Sequence, residues 1–122
     1  MDAVGTAPTE ADGVDGPFGT IDLADADPKT LVVSGEVDIA VTQDAIQELP
    51  RWAQVEQIDL RGTTFLDSSG MRLLVQVARL VAPRRVQVVG ASGQPLAALE
   101  VFGAGHVVDL VPAPAAQRPT GT

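Results

Sequence analysis

The chain of 122 residues has no cysteine and a single histidine, His106. Without cysteine it can form no disulfide, no thiol nucleophile and no thiolate metal site, and one histidine cannot supply a multi-histidine site. Only 3% of its residues are aromatic, which is too few rings for a surface that stacks nucleic-acid bases. No apolar run approaches the roughly 20 residues of a membrane-spanning helix. We therefore expect no metal, no cofactor, no nucleic-acid partner and no membrane insertion.

Lysine and arginine are scarce as well, with 8 of them against 16 aspartates and glutamates, so the formal net charge is −8. Such a chain repels nucleic acid and anionic lipid. The acids are unevenly placed, because residues 1–27 carry seven of them and no base, whereas residues 28–122 have a net charge of −1. The surface of the folded part therefore need not be acidic. Composition and the lack of cysteine together predict a small cytoplasmic domain.

Composition and apolar periodicity divide the chain into three parts. Residues 1–17 and 113–122 mix glycine, proline, alanine and threonine without periodicity, so we expect a disordered acidic leader and a flexible tail. Residues 18–112 form the predicted domain, with strands expected at 20–24, 31–37, 58–60, 85–90 and 106–111, and helices at 40–49, 68–82 and 95–102. Pro50 is expected to end the first helix. This alternation predicts an α/β fold, a mixed four-to-five-stranded sheet that is mostly parallel after an N-terminal hairpin, with three to four helices.

The helix predicted at 68–82 is apolar over most of its surface. Its polar residues Arg72, Gln76 and Arg79 form one narrow stripe, because they are four and three residues apart. A helix that covers a single core needs an apolar arc of only about 100°. The apolar surface of this helix beyond that arc has two explanations. The helix is packed between the sheet and a neighbouring helix, or part of it is exposed to a protein partner.

The segment before this helix contains the main candidate functional residues. A strand is expected to end at Leu60, a loop follows, and Asp67, Ser68 and Ser69 then precede the apolar helix. Aspartate and serine are good N-caps, and one of them would satisfy free N–H groups of the first turn. Gly70 removes side-chain bulk just inside the helix, at a cost of about 1 kcal/mol in helix propensity. These residues could form an ordinary cap, or they could leave room for a ligand such as phosphate.

Several sequence blocks, in order, resemble the STAS domain family, which includes anti-sigma factor antagonists and sulfate transporters. Residues 65–75 (FLDSSGMRLLV) are similar to the family's signature, and residues 33–38 (VSGEVD) to its second-strand motif. Residues 58–65 (IDLRGTTF) resemble the strand and loop before the signature, and residues 96–110 resemble the closing helix and strand. The resemblance covers residues 18–112 and implies the STAS fold.

The resemblance implies a non-enzymatic switch protein of transcription regulation, an anti-sigma factor antagonist. Its unphosphorylated form would bind an anti-sigma factor of the ATP-binding serine kinase type and thereby release a sigma factor. The kinase would phosphorylate Ser68, which corresponds to the first serine of the motif, and a serine phosphatase would restore binding. The partner-binding residues implied by the resemblance are Glu36, Asp38, Asp67, Ser69, Gly70, Met71 and Arg72.

Two positions depart from the family pattern. Val41 stands near the place where a serine or threonine often caps the first helix, and Arg72 stands where many relatives have a small residue. The first departure concerns the edge that faces the partner, and the second concerns the choice of kinase.

Other functions fit the sequence less well. Ser68 lacks the Gly-x-Ser-x-Gly elbow of a hydrolase, and only His106 could serve it as a base, so no enzyme is expected. Asp59 and Asp67 lie near a strand end, as in a response-regulator receiver, but the only lysine is Lys29 in the first turn. The main alternative keeps the fold: a stand-alone STAS subunit of a membrane transporter ATPase, or a scaffold of a stress-signalling complex.

Overall fold

The computed structural model describes residues 19–25 and 27–111 of the chain. In chain order the elements are β1 (Thr20–Ala24), β2 (Asp27–Val37), α1 (Ile39–Ala45), a first 3₁₀ helix (Ile46–Trp52), β3 (Gln57–Leu66), α2 (Ser68–Val81), β4 (Gln87–Val89), α3 (Gly93–Phe102), a second 3₁₀ helix (Ala104–His106) and β5 (Asp109–Val111). The predicted leader (1–17) and tail (113–122) lie outside the described residues. Within the described residues, no helix is long and apolar enough to cross a membrane.

The five strands form one sheet in the order β1-β2-β3-β4-β5. β1 and β2 pair antiparallel, and the other neighbouring pairs are parallel. The predicted mixed sheet with an N-terminal hairpin is therefore confirmed. Because the three helical crossovers all step in the same direction along the sheet, the right-handed rule for such connections puts α1, α2 and α3 on one face of it.

The core lies between that face and the helices. Alternate side chains of the two central strands are buried in it, among them Leu31 and Val33 of β2 and Ile58 and Leu60 of β3. α2 packs against β3, against α1 and against the first 3₁₀ helix, and its buried residues are Gly70, Leu73, Leu74, Val77, Ala78 and Val81. Packing between the sheet and neighbouring helices therefore accounts for most of its apolar surface.

The strand β3 is longer than the sequence predicted, and the predicted loop after Leu60 was wrong. β3 continues to Leu66 and pairs with β2 along this stretch, where Thr63 Oγ1 also donates a hydrogen bond to the Val33 carbonyl at 2.7 Å. The ladder between the two strands contains two register shifts. Exposed and buried side chains therefore do not alternate regularly after Leu60, and the period of two that marks a strand is lost.

Pro50 does not end the helical segment but lies inside the first 3₁₀ helix. Proline has no N–H to donate to the carbonyl four residues earlier, so an α-helical ladder cannot continue through it. The α-helix ends at Ala45, and the chain continues to Trp52 in the tighter 3₁₀ form. This path carries Trp52 into the core, where it is only 2% exposed.

The other boundaries differ by a few residues. β2 begins earlier than predicted, at Asp27, and α3 begins at Gly93. β4 and β5 are shorter than predicted, since Gly90 leaves the strand conformation with a φ of 76° and residues 104–106 form a 3₁₀ helix. None of these differences changes the order of the elements.

Replacing Leu74 with alanine is expected to lower the free energy of unfolding by about 2–5 kcal/mol, the usual range for a buried leucine. Leu80 lies on the same helix but is 37% exposed, against 3% for Leu74, so Leu80→Ala should cost about 1 kcal/mol or less. Urea denaturation followed by circular dichroism measures both. Equal losses would contradict the assignment of the buried face of α2.

Candidate functional site

Two adjacent parallel strands, β2 and β3, end side by side, and each leads directly into a helix. Glu36 pairs with Phe65 and Val37 with Leu66, and the Asp67 N–H donates a hydrogen bond to the Val37 carbonyl at 3.1 Å. The residue after β2 and the residue after β3 therefore lie close together. We call this region the carboxyl edge of the sheet, the place where open α/β sheets generally bind ligands.

Both of these residues are aspartates, and both cap a helix. Asp38 Oδ1 accepts a hydrogen bond from the Val41 N–H at 3.2 Å and begins α1. Asp67 Oδ1 accepts from the N–H groups of Ser69 at 2.9 Å and Gly70 at 3.0 Å and begins α2. Each aspartate has the extended backbone that is usual for an N-cap. The departure at Val41 therefore leaves α1 capped, because Asp38 supplies the cap.

Asp67 accepts one more hydrogen bond than its role as a cap requires. Ser69 Oγ donates to the same Oδ1 atom at 2.6 Å. Burial alone would raise the pKa of Asp67, but the hydrogen bonds from Ser69 and Gly70 and the positive charge of Arg72 outweigh it and hold the pKa below the ordinary value of 3.8. The carboxylate is therefore charged at neutral pH, and it is tied to the first turn of α2.

Ser68 differs from both of its neighbours. It is the first residue of α2 and is exposed, and among the described residues its hydroxyl has no hydrogen-bond partner. The Ser69 hydroxyl, in contrast, is half-buried and engaged with Asp67. The three candidate caps are thus divided: Asp67 caps the helix, Ser69 supports the cap, and Ser68 keeps an accessible hydroxyl.

Gly70 has a packing role. It is buried, and a Cβ atom added there would lie 2.5 Å from Leu66 Cδ1 and 3.0 Å from Val37 Cγ1. The missing side chain is therefore explained by the close approach of α2 to the ends of β2 and β3. It does not leave an opening for a ligand, as the sequence alone allowed.

The remaining predicted site residues surround Ser68. Glu36 is exposed at the end of β2, Arg72 is exposed one helical turn after Ser68, and Met71 is half-buried against the core. A shallow cleft of about 210 Å³ separates α1 from α2, and its lining residues are Ile39, Thr42, Gln43, Ile46, Ser69, Arg72, Leu73 and Gln76. The predicted residues are thus brought to one edge of the fold, with Gly70 beneath the surface. Their role in binding a partner stays a prediction.

Two apolar residues at this edge were missed by the sequence reasoning. Ile39 is 59% exposed and Phe65 is 42% exposed, although both are large and apolar. Phe65 precedes the buried Leu66 on a strand and so faces the opposite way, a signal that the predicted loop concealed. Ile39 is three residues before the buried Thr42, and this spacing alone would place it in the core. Its position at the first turn of α1 leaves it beyond the edge of the core.

The residues considered for other chemistry are not arranged for it. His106 is exposed in the second 3₁₀ helix. Asp59 is paired with Arg61 at 2.7 Å, and the hydrogen bonds from that arginine hold the pKa of Asp59 below its usual value despite burial. Across residues 19–25 and 27–111, no group of three or more histidine, aspartate or glutamate side chains could hold a metal ion. A receiver needs clustered acids, whereas Asp59 is paired with Arg61 and Asp67 caps α2.

The chain matches a protein-family model described as "Mlab, STAS domain" over residues 21–112. Nine chains of solved structures also match. One of them is the anti-sigma factor antagonist SpoIIAA in its unphosphorylated form, with a TM-score of 0.56 and 20% sequence identity, covering 75% of this chain and 86% of that one. No curated protein matches the sequence. At this level of identity, the likeness to SpoIIAA shows the fold.

Asp67→Ala removes the acceptor of three hydrogen bonds and is expected to lower the free energy of unfolding at neutral pH by about 1–2 kcal/mol. Because the folded-state pKa is below the ordinary 3.8, the carboxylate stabilises the fold fully above that value and loses this effect as the pH falls through the folded-state pKa. The difference between the wild type and Asp67→Ala should therefore shrink from about pH 5 to about pH 2. Urea denaturation across this range measures it.

Ser68→Ala is the matched control, because it removes an exposed hydroxyl that has no partner among the described residues. It should change the free energy of unfolding by less than about 0.5 kcal/mol. A loss in Asp67→Ala that is independent of pH, or no larger than the loss in Ser68→Ala, would contradict the cap.

Proposed function

Since the chain belongs to the STAS domain family, we propose that it is an anti-sigma factor antagonist whose affinity for its partner is controlled by phosphorylation of Ser68. The unphosphorylated protein binds an anti-sigma factor of the ATP-binding serine kinase type in the cytoplasm, and a sigma factor is thereby released. The kinase phosphorylates Ser68 and ends this binding, and a serine phosphatase restores it. The protein itself catalyses no reaction in this scheme.

The observation that supports this proposal best is the accessible hydroxyl of Ser68 beside an occupied cap. A kinase must reach the hydroxyl oxygen, and Ser68 is exposed at the start of α2. Modifying Ser68 breaks no hydrogen bond of the described fold, whereas modifying Ser69 would break its bond to Asp67. Ser68 is therefore the serine of the pair that can gain and lose a phosphate without disturbing the helix.

The transfer itself needs ATP with its Mg²⁺ and the kinase. The Ser68 hydroxyl oxygen forms a bond to the γ-phosphorus of ATP, the bond from that phosphorus to the leaving ADP oxygen breaks, and the hydroxyl proton passes to a base of the kinase. Hydrolysis by the phosphatase returns the serine and releases inorganic phosphate. The domain supplies a positioned nucleophile and no catalytic group.

Phosphorylation changes the charge of the carboxyl edge. Phosphoserine carries about −1.5 to −2 charges at neutral pH, in a region that already holds Glu36, Asp38 and Asp67. The helix itself tolerates the phosphate, since an anion at a helix N-terminus is stabilised by about 0.3–1 kcal/mol. A partner that covers Ser68 must remove water from a dianion, which costs several kcal/mol. A loss of about 4 kcal/mol weakens binding about a thousandfold.

The surface around Ser68 in this proposal combines apolar contact with charge. Ile39 follows the capping Asp38 in the chain and Phe65 lies two residues before the capping Asp67, and both expose apolar area. Met71, in the first turn of α2, is partly accessible. Exposed apolar residues next to a charged rim are typical of protein interfaces. We expect these three side chains to contribute affinity, and the carboxylates of Glu36 and Asp38 to contribute orientation and association rate.

A second candidate function keeps the same fold. This candidate is a stand-alone STAS subunit of a membrane transporter ATPase, or a scaffold in a stress-signalling complex. The description of the matching family model, "Mlab, STAS domain", names the domain and no antagonist role, so it fits this candidate as well. Such a subunit would use the same edge without phosphorylation of Ser68.

Affinity capture with the wild-type protein and with Ser68→Glu as baits distinguishes the antagonist from the transporter subunit. A kinase-type anti-sigma factor retained by the wild-type protein and lost with Ser68→Glu supports the antagonist. A transporter ATPase retained equally by both baits supports the alternative and contradicts the antagonist.

With ATP and the cognate kinase-type anti-sigma factor, the wild-type protein is expected to gain the mass of one phosphate. Ser68→Ala should gain none, because it lacks the accessible hydroxyl, and Ser69→Ala should still be modified. Intact-mass spectrometry of the three proteins measures this. Modification of Ser68→Ala to the wild-type extent would show that the assignment of Ser68 is wrong.

Ser68→Glu is expected to weaken binding to the anti-sigma factor by about tenfold to a hundredfold, because it adds a negative charge at the carboxyl edge. Ser68→Gln has the same size without the charge and should weaken binding much less. Titration calorimetry measures the affinities, and thermal melting should show both variants as stable as the wild type. Equal affinities of the two variants would rule out a switch based on charge.

A further inference from the structure

Arg72 lacks the partners that most other cations of the described residues have. Carboxylates or backbone carbonyls hold five of them: Lys29, Arg51, Arg61, Arg84 and Arg85. Arg79 lies in the last turn of α2, where a positive charge suits the helix dipole. Arg72 is exposed near the other end of α2, and within residues 19–25 and 27–111 it has no carboxylate within ion-pair distance. Neither a direct ion pair within these residues nor a favourable place in the helix dipole accounts for a cation at this position.

The position of Arg72 relates it to Ser68. The two residues are four apart on one helix, so their side chains lie on the same stripe with Cβ atoms roughly 6 Å apart. The charge of Arg72 already acts across this turn, since it contributes to the lowered pKa of Asp67. The other charged groups at the carboxyl edge are the carboxylates of Glu36, Asp38 and Asp67. Arg72 is therefore the group at this edge that can offset a further negative charge.

We infer that Arg72 binds the phosphate group of phosphorylated Ser68 within the same chain. This inference rests on the proposed phosphorylation of Ser68 and adds how the modified state is held. The guanidinium reaches back one helical turn and donates hydrogen bonds to the phosphate oxygens, for which its forked donors are well shaped. The long side chain is exposed and free to adopt this conformation.

The pairing gives phosphorylation a second effect on the surface. Arg72 lines the cleft between α1 and α2 together with Ile39 and Gln76. Pairing with the phosphate fixes the Arg72 side chain, which lines this cleft, at the start of α2. The partner then meets a new anion there and a cleft wall whose arginine is held in place.

The test uses the full chain with phosphoserine placed at position 68 by genetic encoding, so that no kinase is needed. Phosphorus NMR titration measures the second pKa of the phosphate, which is about 6 for phosphoserine. Arg72→Gln should raise this pKa by about half a unit relative to the wild type, because it removes the cation that favours the dianion. Salt at about 1 M should reduce the difference, since the Debye length then falls to about 3 Å.

Arg79→Gln is the matched control. It removes the same charge from the same helix at roughly 16 Å from Ser68 along the axis, beyond the Debye length of about 8 Å at physiological salt, and should leave the phosphate pKa unchanged. Equal phosphate pKa values in the wild type and Arg72→Gln, or an equal shift in Arg79→Gln, would overturn the inference. Because the phosphate is encoded, this result is independent of the kinase reaction that tests Ser68 as the modified residue.

Discussion

The parallel pairing of β2 and β3 up to their last residues is the constraint on which the rest of the site depends. The hydrogen bond from the Asp67 N–H to the Val37 carbonyl, at 3.1 Å, joins the two points where the chain leaves the sheet. Gly70 then allows α2 to pack directly onto Val37 and Leu66. If β3 had ended where the sequence pattern predicted, the caps of α1 and α2 would stand on separate loops. Continuous pairing instead places Asp38 and Asp67 beside each other.

In the proposed function, this arrangement separates stability from regulation within three consecutive residues. Asp67 satisfies the first-turn donors of α2, and Ser69 holds the carboxylate in place. Ser68 is therefore left with no structural hydrogen bond among the described residues, although it lies in the same turn. If a serine served as the cap, modifying it would replace the hydrogen bonds that begin its helix. The use of aspartate as the cap is what makes the neighbouring serine available.

The sequence carried enough information for the order of the elements, because strand alternation and helix periodicity survive wherever one face is buried. It did not carry the end of β3, where register shifts against β2 remove the alternation. Nor did it reveal why position 70 is a glycine. The reason is the close approach of Val37, a residue more than thirty positions away. The exposure of Ile39 was equally hidden, since its spacing to Thr42 is that of a core residue. In each case the missing information was a distance in the tertiary structure, which the sequence pattern does not contain.

A phosphate on Ser68 acts over a short range, and this limits which partners can respond to it. Charges at the surface are screened within about 8 Å at physiological salt, a distance that includes the first turns of α2 but not the far end of the sheet. Residues 28–122 have a net charge of only −1, so a phosphate would add nearly two charges to a domain that is close to neutral. The excess of acids over bases lies mainly before residue 28, where seven acids and no base give −7 of the net charge of −8. In the proposed switch, a partner bound over Ser68 would therefore be released, while a partner bound at the opposite end of the strands would keep its affinity.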